Sequence, residues 1–388
     1  MNSKNIKPLP VSLYFFTVLI LIIAGIAIST YLLFSHYKVY TDISYKSFCA
    51  VSKAINCDTV AQSPYSLSIG VPIAAWGIAG YMLLLGILFF SLDTKGKKMR
   101  VLATLILITL IFSCLSLYFG IISGFIIHSY CIMCILIYAI NFMLLYMFWL
   151  IKRRYETHSF LQSIKTDIKF WKINKTKIIL LISSFFIISV ALIIFFPHYW
   201  EFSPKQNNTA QLNTGYTEQG DPWIGAQNPE LVITEFTDYF CFQCKKMHFF
   251  LRALVSEYPN KLRLVHKHFP MDHKFNPIVK EPFHQGAGVM SLIAIYAAEQ
   301  NEFWEINDIL FNYQITSETI TLQEISEFTH LDINKLANAL NNPDFRTKLN
   351  KDIIQGLKNN ITGTPAYIIN NKVYIGQIPS NILRVLNE

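Results

Sequence analysis

Seven cysteines are the residues of this 388-residue sequence best suited to chemistry, and six of them form three pairs by spacing. Closely spaced thiols can form and break disulfides, which persist in extracytoplasmic compartments and not in the cytosol. The three pairs, each a candidate redox centre, are Cys49 and Cys57, Cys131 and Cys134, and Cys241 and Cys244. The seventh cysteine, Cys114, has no partner by spacing, and we expect it to pack in an apolar core.

The Cys241–Cys244 pair lies where a strand is predicted to pass into a helix. LVITEF at 231–236 alternates like a strand, and CKKMHFFLRALVSEY has helical spacing. A Cys-x-x-Cys at such a junction is the signature of thioredoxin-like redox domains. The helix N-terminus stabilises a thiolate on the first cysteine, and the second closes the disulfide. The alternatives are a structural disulfide, or half of a zinc site that His266 and His268 complete.

The other two pairs lie among apolar segments. Cys131 and Cys134 are three residues apart at one end of an apolar run, so both sulfurs share a helix face and can reach a lipid-soluble oxidant. Cys49 and Cys57 enclose seven residues, as expected of a shuttle pair on a mobile loop. The alternatives are two small buried hydrophobes for the first pair and a static disulfide for the second.

Five long apolar runs occur before residue 200 and none after it, in a chain that is 52% hydrophobic and 15% charged. Each run has about the 20 residues that a helix needs to cross a bilayer. The first is too long for a signal peptide and lacks a small-residue cleavage site, so we interpret it as a retained span. The runs are Val11–Phe34, Val71–Ser91, Val101–Ile122, Tyr130–Ile151 and Ile178–Phe196.

The loops between these runs differ in charge. Alternate loops hold fourteen Lys and Arg residues on one side and three on the other, which places the N-terminus in the cytoplasm and residues 198–388 outside. All three cysteine pairs then lie on the outer side. The net charge of +8 reflects this topology, so we expect no nucleic-acid partner. A non-redox transporter or binding protein with structural cysteines would have charged or broken helices at mid-membrane, whereas the first four runs contain no charged residue.

The pattern changes after the fifth run to alternating strands and helices, which predicts an α/β domain. An Asn-Asn dipeptide marks the turn of a predicted hairpin near the C-terminus. The predicted segments are a flexible polar linker at 201–222, a second strand at 261–269, a helical region Met290–Tyr313, the hairpin at 366–376 and a last helix.

Residues 221–388 resemble the DsbA-like branch of the thioredoxin superfamily. The resemblance rests on Glu235 six residues before Cys241, on AAEQNEFWEINDILF (297–311) and on GTPAY (363–367). It implies that Glu235 is a buried acid that assists proton transfer, where a solvated acid at a strand end is the alternative. It also implies a helical insert, and a cis Pro365 beside the active-site disulfide.

One departure from that branch concerns the direction of exchange. The residues between the two cysteines are Phe242 and Gln243, without the histidine that makes DsbA strongly oxidising. Thr364, before the proline, also occurs in reductases and isomerases. The direction of electron flow is therefore left open by this motif.

Residues 35–150 resemble the vitamin K epoxide reductase family. CDTVAQSPYSLSIGVPIAAWGIAGY (57–81) is similar to its signature, with the four cysteines in register. By this resemblance Ser63 and Tyr138 lie near a quinone; the alternatives are a helix cap and an interfacial aromatic. Ile73 stands where human-type members have an asparagine that contacts the vitamin K head group. The resemblance thus implies quinone reduction and disfavours epoxide reduction.

The two resemblances imply one organisation, because bacterial members of this family carry a thioredoxin-fold domain after a fifth span. We expect a multi-domain protein: an α-helical transmembrane bundle with a four-helix core and a fifth span, then an α/β thioredoxin-like domain with a helical insert. The expected domains are 1–155 (quinone-reducing), 156–200 (basic cytoplasmic linker and fifth span), 201–222 (flexible linker) and 223–388 (thioredoxin fold).

The function implied is that of a thiol oxidase in the bacterial cytoplasmic membrane, with its thioredoxin domain in the periplasm. Electrons from reduced secreted or periplasmic proteins would pass to ubiquinone or menaquinone through Cys241–Cys244, then Cys49–Cys57, then Cys131–Cys134. No metal is expected. A disulfide reductase or isomerase that runs electrons outward is the alternative, because it needs the same cysteines and differs only in reduction potential.

Overall fold

The computed structural model describes residues 10–42, 45–51, 55–92, 99–201, 212–312 and 321–387. The chain divides into two compact units, Met1–Trp200 and Glu201–Glu388. The elements of the first unit are α1 (Val11–Thr41), α2 (Cys57–Gln62), β1 (Leu67–Ser68), β2 (Val71–Pro72), α3 (Ile73–Ser91), α4 (Leu102–Phe125), α5 (Ile132–Tyr155), α6 (Phe160–Ile173) and α7 (Lys175–Phe195).

Five of these helices, α1, α3, α4, α5 and α7, are long and apolar enough to cross a membrane, as the sequence predicts. The largest difference from the predicted spans is in α1, which continues seven residues beyond Phe34 to Thr41. The added turns bury His36 and Tyr40, whose rings contact Tyr199. This packing of aromatic side chains explains the extension, which hydrophobicity alone did not indicate.

The core of the first unit lies between α1, α3, α4 and α5. Fully buried side chains from all four helices meet there, among them Ile22, Leu84, Leu105 and Leu144. Helix α7 has no buried residue, so it packs outside this four-helix core. Cys114 is exposed on α4, and the prediction that it packs in a core is wrong: the helix turns the neighbouring serines inward and the thiol outward.

The second unit is an α/β domain. Its elements are β3 (Thr214–Tyr216), β4 (Pro222–Gly225), β5 (Leu231–Thr237), α8 (Phe242–Glu257), β6 (Leu262–His268), α9 (Ala287–Glu299), α10 (Phe303–Asn312), α11 (Leu322–Thr329), α12 (Ile333–Asn341), α13 (Pro343–Lys358), β7 (Ala366–Ile369), β8 (Lys372–Ile375) and α14 (Ser380–Leu383). The strands form one mixed sheet in the order β3-β4-β6-β5-β7-β8, in which β5 and β6 are parallel and the other neighbours antiparallel. The predicted fold class is confirmed.

Two local predictions in this unit have different outcomes. The β7–β8 turn is formed by Asn370 and Asn371 with φ values of 49° and 60°, as the dipeptide predicts for a tight hairpin. The predicted helical region Met290–Tyr313, whose last residue lies outside the described residues, is divided into α9 and α10, because Asn301 adopts a left-handed φ of 61° that a continuing helix does not allow.

Candidate redox centres

The loop cysteines are held at the N-terminus of a short helix. Cys57 begins α2, and the side chain of Asn56 caps this helix by accepting hydrogen bonds from the backbone N–H groups of Asp58 and Thr59 at 3.0 and 3.2 Å. The backbone N–H of Asn56 donates to the carbonyl of Tyr130 at 2.9 Å, which ties the loop to the segment before α5. Asn56 therefore both caps α2 and places Cys57 beside the start of α5.

The structure brings two predicted cysteine pairs together. Cys49 and Cys57 are joined as a disulfide, and with Cys131 they form one buried cluster against which Cys134 packs. Cys131 caps α5, and its sulfur accepts a hydrogen bond from the backbone N–H of Cys134 at 3.2 Å. Contact between a disulfide and a dithiol is the arrangement that thiol–disulfide exchange requires. The loop disulfide is buried, a feature that the prediction of a shuttle pair on a mobile loop did not include.

Asp58, next to the disulfide, is a polar group that the sequence reasoning missed. Its Oδ2 atom accepts a hydrogen bond from the backbone N–H of Ser47 at 3.1 Å, which holds the Cys49 side of the loop against α2. Its buried Oδ1 atom has no hydrogen-bond partner among the described residues. An acid directly after a candidate redox cysteine is the sequence signal that could have drawn attention to it.

An apolar cavity of about 260 Å³ opens beneath these cysteines. Its walls include Cys57, Cys131 and three predicted site residues, Ser63, Cys134 and Tyr138. The Ser63 hydroxyl donates a hydrogen bond to the Val60 carbonyl at 2.8 Å, so its oxygen lone pairs are the part available to a bound molecule. Mostly apolar walls with a few polar groups suit a planar, lipid-soluble quinone.

Three polar side chains of this cavity lie deeper in the bundle and were not predicted. The Tyr81 hydroxyl donates to Oδ1 of Asn141 at 2.6 Å, and Nδ2 of Asn141 donates to the Ser116 hydroxyl at 2.8 Å. All three line the cavity. Asn141 keeps a second N–H that could donate to a quinone oxygen. An asparagine in an otherwise apolar span was the available signal.

The third pair lies at the start of α8 in the second unit. Cys241 caps the helix, and its sulfur accepts a hydrogen bond from the backbone N–H of Cys244 at 3.2 Å. The Cys241 thiol lies 3.5 Å from the Thr364 carbonyl oxygen, and the Thr364–Pro365 peptide bond is cis, as the resemblance implied. The predicted Cys241, Cys244 and Pro365 thus meet in one place.

The two thiols of this pair differ electrostatically. Burial alone would raise the pKa of Cys241, but hydrogen bonding to Cys244 and the nearby charge of His284 lower it below its ordinary value. Burial and the interaction with Cys241 raise the pKa of Cys244 well above its ordinary value. Cys241 is therefore the more readily ionised thiol of the pair, as expected of a nucleophilic cysteine.

His284, which lies outside the dipeptide between the cysteines, acts electrostatically on Cys241. It comes from the segment before α9, where its Nδ1 atom lies 3.1 Å from Oδ1 of the buried Asp238. Asp238 also accepts from the backbone N–H of Phe240 at 2.7 Å, which fixes its carboxylate beside the helix start. Burial opposes protonation of His284, but the charges of Asp238 and Cys241 raise its pKa above the ordinary value.

Glu235 on β5 is fully buried, so the alternative of a solvated acid is wrong. Its Oε1 atom is 2.8 Å from Nδ1 of His266 and 3.3 Å from Nδ1 of His248. His266 therefore pairs with Glu235, and the structure does not join it to the cysteines as the zinc alternative required. The ligand atoms of these three residues lie within 4.8 Å of one another, a set that could hold a metal ion.

Comparison with known proteins agrees with this division of the chain. Residues 16–149 match the model of the Vitamin K epoxide reductase family, and residues 217–387 match the model described as Thioredoxin. Vitamin K epoxide reductase complex subunit 1 of Mus musculus is 30% identical over 132 residues, which cover 32% of this chain and 81% of the mouse protein. The chain belongs to the vitamin K epoxide reductase family. In this family member, the membrane domain is followed by a domain that matches the Thioredoxin model.

Two further proteins are similar to parts of this chain. A Na(+)/H(+) antiporter NhaA 3 of Salinispora tropica is 25% identical to this chain over 158 residues. The matched region is 41% of this chain, and the chain spans only 22% of the antiporter's length. The solved structure of the thiol-disulfide exchange protein alpha-DsbA2 of Wolbachia pipientis is also similar, with 17% sequence identity and a TM-score of 0.34. The similar region covers 42% of this chain and 84% of that protein.

Proposed function

We propose that this protein is a membrane thiol oxidase that forms disulfides in reduced extracytoplasmic proteins and delivers their electrons to a membrane quinone. The observation that carries the proposal is the meeting of the loop disulfide, Cys131 and Cys134 at one end of an apolar cavity. A thiol pair at such a place can exchange with a disulfide on one side and reach a lipid-soluble acceptor on the other.

The proposed relay begins at the thioredoxin domain. A substrate thiolate attacks Cys241 of the Cys241–Cys244 disulfide, and Cys244 departs as a thiolate. The second substrate thiolate attacks the mixed disulfide, so the substrate leaves oxidised and the pair remains reduced with two electrons. Cys241 then attacks the loop disulfide, and Cys244 resolves the second mixed disulfide.

The membrane domain completes the transfer. The reduced loop pair exchanges with a Cys131–Cys134 disulfide, and the loop disulfide forms again. A bound quinone, ubiquinone or menaquinone, would supply an acceptor for two electrons and two protons, so that the Cys131–Cys134 dithiol could return to the disulfide. Cys134 faces the cavity, Ser63, Tyr138 and Asn141 present polar groups to it, and the apolar walls exclude water from the site.

We place the N-terminus in the cytoplasm and the thioredoxin domain outside the cytoplasmic membrane of a bacterium. The distribution of Lys and Arg among the loops supports this orientation. Secreted or periplasmic dithiol proteins would then be the substrates. We do not propose ion transport, because the apolar runs of the four-helix core contain no charged residue.

The exchange between loop and α5 can be tested by trapping it. In a Cys134→Ala variant, Cys131 can attack the loop disulfide but cannot be resolved by its partner, so a disulfide between Cys131 and Cys49 or Cys57 should accumulate. Mass spectrometry of the non-reduced protein identifies it. A Cys114→Ala variant is the control, and absence of the trapped disulfide in folded Cys134→Ala protein would contradict this step.

A further inference from the structure

We propose that Glu235, His248 and His266 form a binding site for one divalent transition-metal ion, zinc being the ion we expect, inside the thioredoxin domain. The site contains no cysteine, so the proposal does not depend on the proposed function and is compatible with either direction of electron flow.

Three elements bring the ligand atoms together. Glu235 on β5 and His266 on β6 are register partners in neighbouring parallel strands, so their side chains lie on the same face of the sheet. His248 comes from α8. The Oε1 atom of Glu235 lies 2.8 Å from Nδ1 of His266 and 3.3 Å from Nδ1 of His248. One carboxylate oxygen thus faces two imidazole nitrogens.

These separations are close to those between neighbouring ligands of one ion. Zinc binds imidazole nitrogen and carboxylate oxygen at about 2.0–2.1 Å, so two such ligands lie about 3.3 Å apart in a tetrahedral site and about 2.9 Å apart at right angles. The observed distances from the Glu235 oxygen are 2.8 and 3.3 Å. All three ligand atoms lie within 4.8 Å of one another. They can therefore share one ion after small shifts of the side chains.

The second ring nitrogen of each histidine is held by an acceptor, as is usual for histidines that bind metals. Nε2 of His248 lies 2.7 Å from Oδ1 of Asp308 on α10, and Nε2 of His266 lies 3.4 Å from the Thr237 hydroxyl. When the Nε2 protons are donated to these acceptors, Nδ1 of each neutral ring carries the lone pair that binds a metal.

A separate observation on Glu235 also points to a cation. Its Oε2 atom is buried without a hydrogen-bond partner among the described residues, and its side chain has no solvent exposure. Burying a carboxylate is costly unless it is paired or coordinates a metal. An ion bound by both carboxylate oxygens would satisfy Oε2, which the two histidines do not reach in the described structure.

The donor set selects the class of ion. Two imidazoles and one carboxylate suit zinc and other divalent first-row metals, whereas magnesium and calcium prefer oxygen ligands alone. Three protein ligands also leave a coordination position for a further ligand. Sequence spacing did not indicate this set, because His248 and His266 lie 13 and 31 residues from Glu235. The sequence analysis therefore expected no metal.

An ion can approach the site from the side of Asp308. The side chains of Asp308 and Arg252 are 12% and 13% exposed, whereas His248, which contacts Asp308, is fully buried. The bidentate pair with Arg252 orients the Asp308 carboxylate beside His248. The buried ligands are thus separated from solvent by a single layer of side chains on this side.

A bound ion would connect β5, β6 and α8 through one centre. Helix α8 starts directly after Cys241, so the same ion would hold the helix that carries the cysteine pair against the sheet. An ion that binds the folded domain and not the unfolded chain stabilises the fold by mass action. We therefore expect zinc to raise the unfolding temperature of the thioredoxin domain.

The test measures metal binding by the full-length protein with all three cysteine pairs oxidised, so that their thiolates cannot bind the ion. The protein is purified without a histidine tag, stripped with a chelator and titrated with zinc, and bound metal is counted by elemental mass spectrometry. Cobalt replaces zinc in a parallel sample. Its visible absorption reports the coordination geometry, and a near-ultraviolet charge-transfer band would reveal a thiolate ligand.

The variants separate the ligands from their surroundings. His248→Gln and Glu235→Gln remove ligands, and Asp308→Asn changes only the acceptor behind His248, close to the surface where folding is less at risk. His273→Gln is the control, because this partly exposed histidine lies beside Asp272, outside the proposed site. Thermal unfolding verifies that each variant is folded.

We expect the wild type and His273→Gln to bind one zinc per chain and to unfold at a higher temperature with zinc. The two ligand variants should lose this zinc and the thermal shift. Asp308→Asn should bind zinc about ten- to a hundredfold more weakly, the usual effect of removing a hydrogen-bond acceptor from a metal-binding histidine.

Wild-type protein that binds no zinc, or folded His248→Gln and Glu235→Gln proteins that bind it as the wild type does, would overturn the site. Hydrogen bonds alone would then hold these side chains together. A thiolate band in the cobalt spectrum would also overturn it, because the ion would lie on a cysteine. Quinone is absent from this experiment, so neither result bears on the proposed function.

Discussion

His284 lies with its Nδ1 atom 3.1 Å from Oδ1 of Asp238, whose backbone carbonyl accepts a hydrogen bond from the N–H of Cys241 at 3.1 Å. One residue, Asp238, thus positions both the nucleophilic cysteine and the cation beside it. A cation near the thiolate stabilises the reduced form of the pair, and a stabilised reduced form makes a disulfide more oxidising. The charge of Asp238 opposes that of His284 at Cys241, so the acid raises the pKa of this thiol while the histidine lowers it.

Replacing this histidine should weaken the Cys241 thiolate. In His284→Gln the pKa of Cys241 should rise, and alkylation of Cys241 at pH 6.5 should slow by roughly three- to tenfold. Peptide-resolved mass spectrometry of timed iodoacetamide reactions, across pH, measures this. His273→Gln is the matched control, because His273 lies beside a different acid, Asp272, at 3.7 Å. An unchanged pH profile for Cys241 in His284→Gln would show that the histidine does not act on the thiol.

The hydrogen-bonded side chains of Tyr81, Asn141 and Ser116 in the membrane cavity should determine the affinity for quinone. Ser113 and Ser116 both lie buried on α4 and both donate to the carbonyl four residues earlier, at 2.9 Å. Only Ser116 also accepts from Asn141 and lines the cavity. Ser116→Ala should therefore misplace Asn141 and raise the KM for quinone several-fold, on the scale of one lost hydrogen bond.

The matched control for that experiment is Ser113→Ala, which should leave the KM for quinone unchanged. Both variants should exchange thiols with the thioredoxin domain at the wild-type rate, since neither serine hydrogen-bonds to a cysteine of the three pairs in the described structure. Equal quinone KM values for the two variants would argue against a role for Asn141 in binding.

Gly25 on α1 leaves room for the Tyr81 ring, whose hydroxyl contacts Asn141. A Cβ atom at Gly25 would lie 2.5 Å from the Tyr81 ring, closer than real contacts allow. Gly25→Ala should push Tyr81 away from Asn141, destabilise the bundle by about 1–3 kcal/mol and raise the quinone KM. Thermal unfolding in detergent and quinone kinetics measure the two effects.

Gly120→Ala is the comparison for that variant, because its Cβ would meet Tyr138 at 3.8 Å, an ordinary contact. We expect Gly120→Ala to unfold at nearly the wild-type temperature. A Gly25→Ala protein as stable and as active as Gly120→Ala would mean that Tyr81 accommodates the added methyl group, and that its contact with Asn141 does not set affinity.

Local patterns predicted much of the fold. The five spans follow from hydrophobic length, and the Asn370–Asn371 turn follows from residues that tolerate positive φ. The junction of β5 and α8 follows from a change of period at Cys241. Each of these features is determined by residues that are neighbours in sequence.

Contacts between distant residues could not be predicted in this way. His284 reaches Cys241 from 43 positions away, and Tyr81 meets Asn141 across 60. No spacing rule connects such residues, because their approach depends on how the sheet and the bundle pack. The contacts of His248 with Glu235 and Asp308 were missed for the same reason, and so was the burial of the loop disulfide.

The proposed path carries electrons from a dithiol protein through the three cysteine pairs to quinone. The most direct measurement is quinone reduction by the full-length protein supplied with a reduced, unfolded dithiol protein, followed by absorbance beside Cys134→Ala, Cys241→Ala and, as the control, Cys114→Ala. We predict quinone loss matched by substrate disulfide formation in the wild type and in Cys114→Ala, and neither in the other two variants. Folded wild-type protein that exchanges thiols but reduces no quinone would contradict the account and point to a reductase or isomerase that runs electrons outward.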